Sequence, residues 1–177
     1  MGLMRTANTR LMVLRGNSGS GKTTTARAVR ERYGNGLAIV SQDTVRRKIL
    51  CEAHGPVRAT PGLIGVITRQ CLDEGFHVFL EGIFSAARWG ELLHRLAADH
   101  RGKSRFFCFD LTFAETLRRH ATRPEASEFS ESTMQDWYQP ADLLDGVAET
   151  LIKQGSTLEE TVRTVMTEAW PDPQPAQ

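Results

Sequence analysis

Gly16-Asn17-Ser18-Gly19-Ser20-Gly21-Lys22-Thr23 fits G-x-x-x-x-G-K-[ST] without a mismatch. An apolar run, Leu11 to Leu14, leads into it, and a helical pattern from Lys22 to Tyr33 follows. Each residue type has a physical reason to be there. Glycines let the loop turn tightly, so that backbone N–H groups point inward as an anion nest. The helix N-terminus adds partial positive charge beneath a bound phosphate. Lys22 can bridge β- and γ-phosphates as a mobile point charge. The Thr23 hydroxyl is suited to Mg²⁺. Residues Gly16, Asn17, Ser18, Gly19, Ser20, Gly21, Lys22, Thr23 and Thr24 are therefore the expected nucleotide-binding segment. The alternative, a Gly/Ser-rich turn that merely joins strand to helix, is disfavoured by Lys-Thr in register and by both flanks.

Short apolar runs alternate with amphipathic segments along the rest of the chain. Strands are predicted at Leu11 to Leu14, Leu37 to Val40, Val78 through Phe84, Phe106 to Leu111 and Glu149 to Ile152. Helices are predicted at Lys22 to Tyr33, Asp43 to about His54, Pro61 to Glu74, Ala86 to His100, Phe113 to Thr122 and Ser130 to Tyr138. Ser156-Thr157-Leu158-Glu159 has the capping-box form and opens a last helix to about Ala169. This alternation implies an α/β, three-layer fold, a five-stranded parallel sheet flanked by helices. At 177 residues the expectation is one domain over 1–170, with a lid segment near 118–140 and a disordered tail at 171–177. Gly55 to Gly62 and Glu125 to Ser130 read as mobile loops.

Lys+Arg of 22 against Asp+Glu of 21 leaves a formal charge of +1, which argues against a broad nucleic-acid-binding face. No apolar run reaches the ~20 residues of a membrane span, and Met1 to Thr9 lacks the apolar core of a signal peptide. Cys51, Cys71 and Cys108 are scattered and show no metal-ligand spacing with the five histidines. A reduced thiol state in the cytoplasm is the expectation.

No guanine-reading N-K-x-D is present, which sets aside a GTPase. A motor or AAA-type ATPase would carry a longer module and an Asp-Glu pair, whereas Val78-Phe79-Leu80 leads into a single acid, Glu81, then Gly82. The chain resembles the P-loop kinases that include polynucleotide 5′-hydroxyl kinases, zeta toxins and chloramphenicol phosphotransferase. The matching pieces are Gly16 to Thr24, Val40-Ser41-Gln42-Asp43-Thr44-Val45-Arg46, Leu80-Glu81-Gly82, Phe109-Asp110-Leu111 and Glu115 to Arg123. Beyond Arg123 the resemblance fades.

That resemblance implies a nucleoside-monophosphate-kinase-like fold using ATP and Mg²⁺. It makes Asp43 the group that takes the proton of an acceptor hydroxyl, and Arg46 a substrate-holding residue. It puts an acid at Glu81 that serves metal or substrate, and makes Arg119 or Arg123 the lid arginines that stabilise charge on the transferred phosphoryl group. Lys22, Asp43, Arg119 and Arg123 are thus the catalytic candidates. Asp43, Arg46 and Glu81 are candidates for substrate, Thr23 and Glu81 for metal. Each has a blander alternative: Asp43 as a helix N-cap, Arg46 in a local ion pair with Asp43, Glu81 paired with a neighbouring base, and the arginines as a solvated face or partners of Glu115. Phe84, Trp89, Trp137 and Tyr138 could stack on a planar substrate or simply be core. The expected activity is ATP-dependent phosphorylation of a hydroxyl on a small molecule such as an antibiotic, nucleoside or sugar metabolite. A polynucleotide 5′-hydroxyl kinase and a zeta-toxin-like nucleotide-sugar kinase are the alternatives. A regulatory module that only binds nucleotide fits less well, because it would need neither Asp43 and Glu81 nor a basic lid.

Overall fold

A computed structural model describes residues 7–52, 58–122 and 130–171. Among these, five strands form one parallel sheet: β1 (Arg10–Gly16), β2 (Leu37–Ser41), β3 (His77–Glu81), β4 (Lys103–Asp110) and β5 (Glu149–Lys153). The helices are α1 (Lys22–Tyr33), α2 (Thr60–Asp73), α3 (Ala86–Asp99), α4 (Phe113–His120), α5 (Glu131–Trp137) and α6 (Leu158–Ala169), with a π-helical turn at Thr44–Ile49. The strand order is β2-β3-β1-β4-β5. The expected three-layer α/β architecture is present.

β1 lies at the centre because both its edges and both its faces can be buried, and Leu11 through Arg15 are all buried. Its side chains alternate between two cores. Leu11 and Val13 pack with Ile64 and Leu72 of α2 and Trp89, Leu93 and Leu96 of α3. Met12 and Leu14 pack with Ala26 and Val29 of α1 and Val162 and Val165 of α6. The site-bearing turns follow the carboxyl ends of β1, β2 and β3, which are register neighbours: Glu81 lies beside Leu14 on one side and Ser41 on the other.

Several boundaries differ from expectation. The helix after Asp43 is a π-turn that stops at Ile49, and Cys51 has φ 49°. β3 ends at Glu81 because Phe84 turns away with φ 43°. β4 begins at Lys103, where Lys103 already pairs with Arg10. α4 stops at His120 rather than Thr122. The capping box is one residue later: Glu160 N–H donates to Thr157 Oγ1 (3.2 Å), and Thr157 N–H donates to Glu160 Oε2 (2.9 Å). Ser156 cannot be the cap because its N–H is spent in a turn on the Lys153 carbonyl. Residues 55–57 of the first loop, Glu125 to Phe129 of the second loop and residues 172–177 of the tail lie outside the described residues, while Thr60 to Gly62 already belong to α2. No described helix is long and apolar enough to cross a membrane.

Candidate active site

Gly16 to Thr23 joins β1 to α1 as the motif requires. Gly16, Gly19 and Gly21 all have positive φ. Gly19 shows why no side chain is tolerated: a Cβ there would lie 2.6 Å from the Thr116 carbonyl oxygen of α4. The Lys22 ammonium is buried and donates to the Asn17 carbonyl (2.8 Å) and to Ser20 Oγ (3.0 Å). Thr24 lies on the exposed side of the first helical turn.

Because β1 pairs directly with β3, the start of α1 meets the end of β3. Thr23 Oγ1 donates to Glu81 Oε2 at 3.0 Å, and Glu81 is only 3% exposed. The two residues proposed for metal are therefore in contact, and together they present two hard oxygen donors of the kind Mg²⁺ takes. The turn after Glu81 is held tightly. Gly82 N–H donates to the Leu14 carbonyl, Gly16 N–H donates to the Ile83 carbonyl, and Ile83 N–H donates to Gln42 Oε1 (2.8 Å). A Cβ on Gly82 would sit 2.4 Å from that Gln42 oxygen, so the close approach needs glycine.

Asp43 follows β2 and is exposed. Its backbone is already helical (φ −66°, ψ −39°) and its side chain makes no capping bond; Thr44 N–H turns to Ser41 Oγ instead. The capping alternative therefore has no geometry behind it. Nor is there an Asp43–Arg46 ion pair among the described residues. The segment is wound with i→i+5 bonds, as in Leu50 N–H to the Val45 carbonyl, so α-helical spacing does not apply. Arg46 instead lends its positive charge to Glu52. The Glu52 carboxyl is held down at about 2, chiefly by the Thr60 hydroxyl and the Ala59 and Arg58 amides.

Arg119 belongs to the wall of the phosphate loop. Its Nη1 donates to the Ser20 carbonyl (2.9 Å), its Nη2 to the Gln154 carbonyl (3.2 Å) and its Nε to Glu115 Oε1 (2.6 Å). Arg118 also grips Glu115, through two 2.8 Å bonds. These two guanidinium groups hold the Glu115 carboxyl at about 2. The Glu115 pairing considered from the sequence is thus present, yet Arg119 still reaches the loop. Arg123 lies outside the described residues. Among the aromatics, Phe84 is fully buried edge-on against Trp89, and Tyr138 donates to the Leu111 carbonyl while its ring packs on Phe113.

On the opposite face of the β1 end, Arg15 is fully buried. It donates to the Phe84 carbonyl (3.0 Å), to Asp142 Oδ2 (2.6 Å) and to Glu149 Oε2 (2.9 Å). Asp142 also accepts from Ala86 N–H at the start of α3. Two residues on, Asn17 pairs with the main chain of Gln139. A cavity of about 140 Å³ opens here, with Gly16, Asn17, Ile83, Cys108, Gln139 and Leu143 among its walls. Burial pushes the Cys108 thiol up to about 11.

The AAA_33 family, described as an AAA domain, matches residues 11–144. The chain belongs to that family. No curated protein matches it in sequence. Solved structures match the AAA_33 chain in fold. The Mycobacterium tuberculosis APS kinase, in complex with AMPPNP and APS, is 18% identical with TM-score 0.66, over 91% of this chain and 97% of that one. A gluconokinase from Sinorhizobium meliloti is 17% identical with TM-score 0.62, over 90% and 89%. The Deinococcus radiodurans tunicamycin resistance protein is 15% identical with TM-score 0.62, over 92% and 96%. The AAA_33 chain is thus a P-loop domain with the kinase fold, as the resemblance implied. Its family nonetheless carries the AAA designation that chain length and the single acid Glu81 had set aside.

In this AAA_33 domain the Arg15, Asn17, Gln42, Asp142 and Glu149 contacts went unread from the sequence. One signal was available. Arg15 directly follows four apolar residues in what must be a central parallel strand, and a charge there has to be buried with partners. Its acidic partners, Asp142 and Glu149, lie more than a hundred residues away, so no local pattern names them.

Proposed function

We propose that this AAA_33 domain is an ATP-dependent kinase that moves the γ-phosphate to a hydroxyl of a small molecule. The observation that carries this reading is the Thr23–Glu81 contact at the mouth of the phosphate loop. The loop amides and Lys22 would hold the β- and γ-phosphates. Thr23 and Glu81 would hold Mg²⁺, which when bound neutralises charge on the phosphate oxygens. Among the described residues no group of three or more His, Cys, Asp or Glu offers an all-protein metal cage. That agrees with an ion that keeps water and phosphate oxygens in its shell.

Asp43 supplies the step that distinguishes transfer from binding. Its exposed carboxylate orients the acceptor hydroxyl and takes its proton as the hydroxyl oxygen bonds to the γ-phosphorus and ADP leaves. Arg119 braces the loop and places positive charge against it. Arg46 and Arg123 remain candidates for the acceptor and for the transferred group. A kinase of the same fold solved with AMPPNP supports ATP as donor. Lys22→Ala should remove turnover and weaken nucleotide binding; unchanged turnover would sink the reading. Phosphate release measured with and without an acceptor panel separates a kinase from a binding module.

One observation favours a second reading. Arg46, Arg47 and Lys48 form a basic run on the turn that begins beside Asp43, and Arg47 and Lys48 are exposed. That would suit the 5′-hydroxyl end of a polynucleotide. Labelling of a 5′-hydroxyl oligonucleotide near 0.15 M salt, lost in Asp43→Asn, would replace the small-molecule acceptor with this one.

A further inference from the structure

Asn17 is contacted on two sides. Its carbonyl oxygen accepts from the Lys22 ammonium at 2.8 Å. Its side-chain amide closes a two-bond ring with the main chain of Gln139: Asn17 Nδ2 donates to the Gln139 carbonyl (2.9 Å), and Gln139 N–H donates to Asn17 Oδ1 (2.8 Å). Asn17 is 8% exposed but Gln139 is exposed, so the two bonds are partly shielded from water. Three residues after Gln139, Asp142 is gripped by Arg15, which stands on the other side of Gly16 from Asn17. The Gln139–Asp142 segment is therefore tied at two points to the arm that enters the phosphate loop. It forms one wall of the cavity there.

The Lys22 contact gives this tie a direction. Phosphate oxygens carry full charge and a carbonyl does not, so a phosphate in the loop competes for the ammonium. Any turn of Lys22 toward the phosphates loosens its hold on the Asn17 carbonyl. The Asn17 peptide would then lose one of its restraints, and its side chain would carry any shift to Gln139. We propose that Asn17 is a positioning residue that relays occupancy of the phosphate loop to the Gln139–Asp142 wall. This rests on the reading of Gly16 to Thr23 as the phosphate cradle. A staple with no relay would hold the segment equally with and without nucleotide.

Amide hydrogen exchange on the full chain, read over residues 138–145 with and without AMPPNP and Mg²⁺, decides between them. In the wild type, nucleotide should change exchange at the Gln139 amide by at least about threefold. In Asn17→Ala that amide loses its Asn17 Oδ1 acceptor and should exchange roughly tenfold faster, and AMPPNP should no longer alter it. Asn17→Asp keeps an acceptor for Gln139 N–H and loses the donor, so its nucleotide response should be reduced. Should Asn17→Ala fail to fold or to bind nucleotide, Asn17→Asp decides alone. A nucleotide response over 138–145 that is absent in the wild type, or unchanged in these variants, overturns the relay. If AMPPNP fails to protect Gly16 to Thr23 in the wild type, the phosphate-cradle reading falls and the relay falls with it.

Discussion

The two ends of the sheet solve the problem of buried polar groups in opposite ways. At the carboxyl end, Arg15, Lys22 and Glu81 are charged residues at 0%, 7% and 3% exposure, each met by opposite charge, carbonyls or hydroxyls. At the amino end the shielded titratable groups include two histidines, His100 buried and His77 half-buried among aromatics. His77 packs edge-on to Tyr33 and Trp170, which stack at 4.6 Å, and His77 Nδ1 accepts from Arg10 N–H. That bond requires Nδ1 to be unprotonated. His100 is likewise engaged at both ring nitrogens, by Thr9 and Ser104. Burying charge is expensive unless it is well paired. The molecule does so where charge positions the phosphate loop and its surroundings. Where only packing is at stake, neutral groups suffice.

The comparison breaks first at Arg15. Arg15→Ala leaves Glu149 and Asp142 without their cation, and should cost about 3–5 kcal/mol in denaturant unfolding. If the loss is near zero, the carboxyl-end charges are not paired as described. Adding Glu149→Gln to that variant should recover part of the loss, because one uncompensated charge is removed.

Asp43 tests the opposite property at the same end, an exposed charge for which we propose a chemical role. Asp43→Asn should lower kcat roughly 10²-fold while nucleotide affinity and unfolding midpoint stay nearly constant. A drop in stability with kcat retained would return Asp43 to a structural role.

Acid sharpens the contrast from the other end. Burial first, then the charges of Arg10 and His100, lower His77 from 6.5 to about 4. A depressed histidine favours the fold when neutral. Its contribution is therefore complete above pH ~6.5 and is lost as pH falls toward 4, on the order of 2 kcal/mol after discounting for partial exposure. His100 is lowered for the same leading reason and adds in the same direction. Melting curves between pH 7 and 4.5 should show this slope, and His77→Gln should flatten it. An equal slope in that variant would place the acid sensitivity elsewhere.

The smallest expected effect is at α6. Thr157→Ala removes the side-chain half of the capping box and should cost about 1 kcal/mol. Ser156→Ala should cost almost nothing, which separates the observed cap from the one read a residue earlier.

Local pattern by itself determined the elements and the phosphate loop. Glycine positions, the Lys-Thr pair and the period of apolar residues act within a few residues of one another, so β1, α1, α2, α3 and α6 were legible to within a residue or two. Boundaries set by φ at Cys51 and Phe84 were not, because those residues adopt conformations their side chains do not favour. Tertiary structure alone decided which groups meet. Parallel pairing of β1 with β3 brings Thr23 to Glu81 across 58 residues, and the turn after α5 brings Gln139 to Asn17 across 122. The buried charge of Arg15 finds Asp142 and Glu149 by the same means. Chain topology creates these contacts, and no sequence spacing encodes the partner of a group that is satisfied from the far side of a sheet.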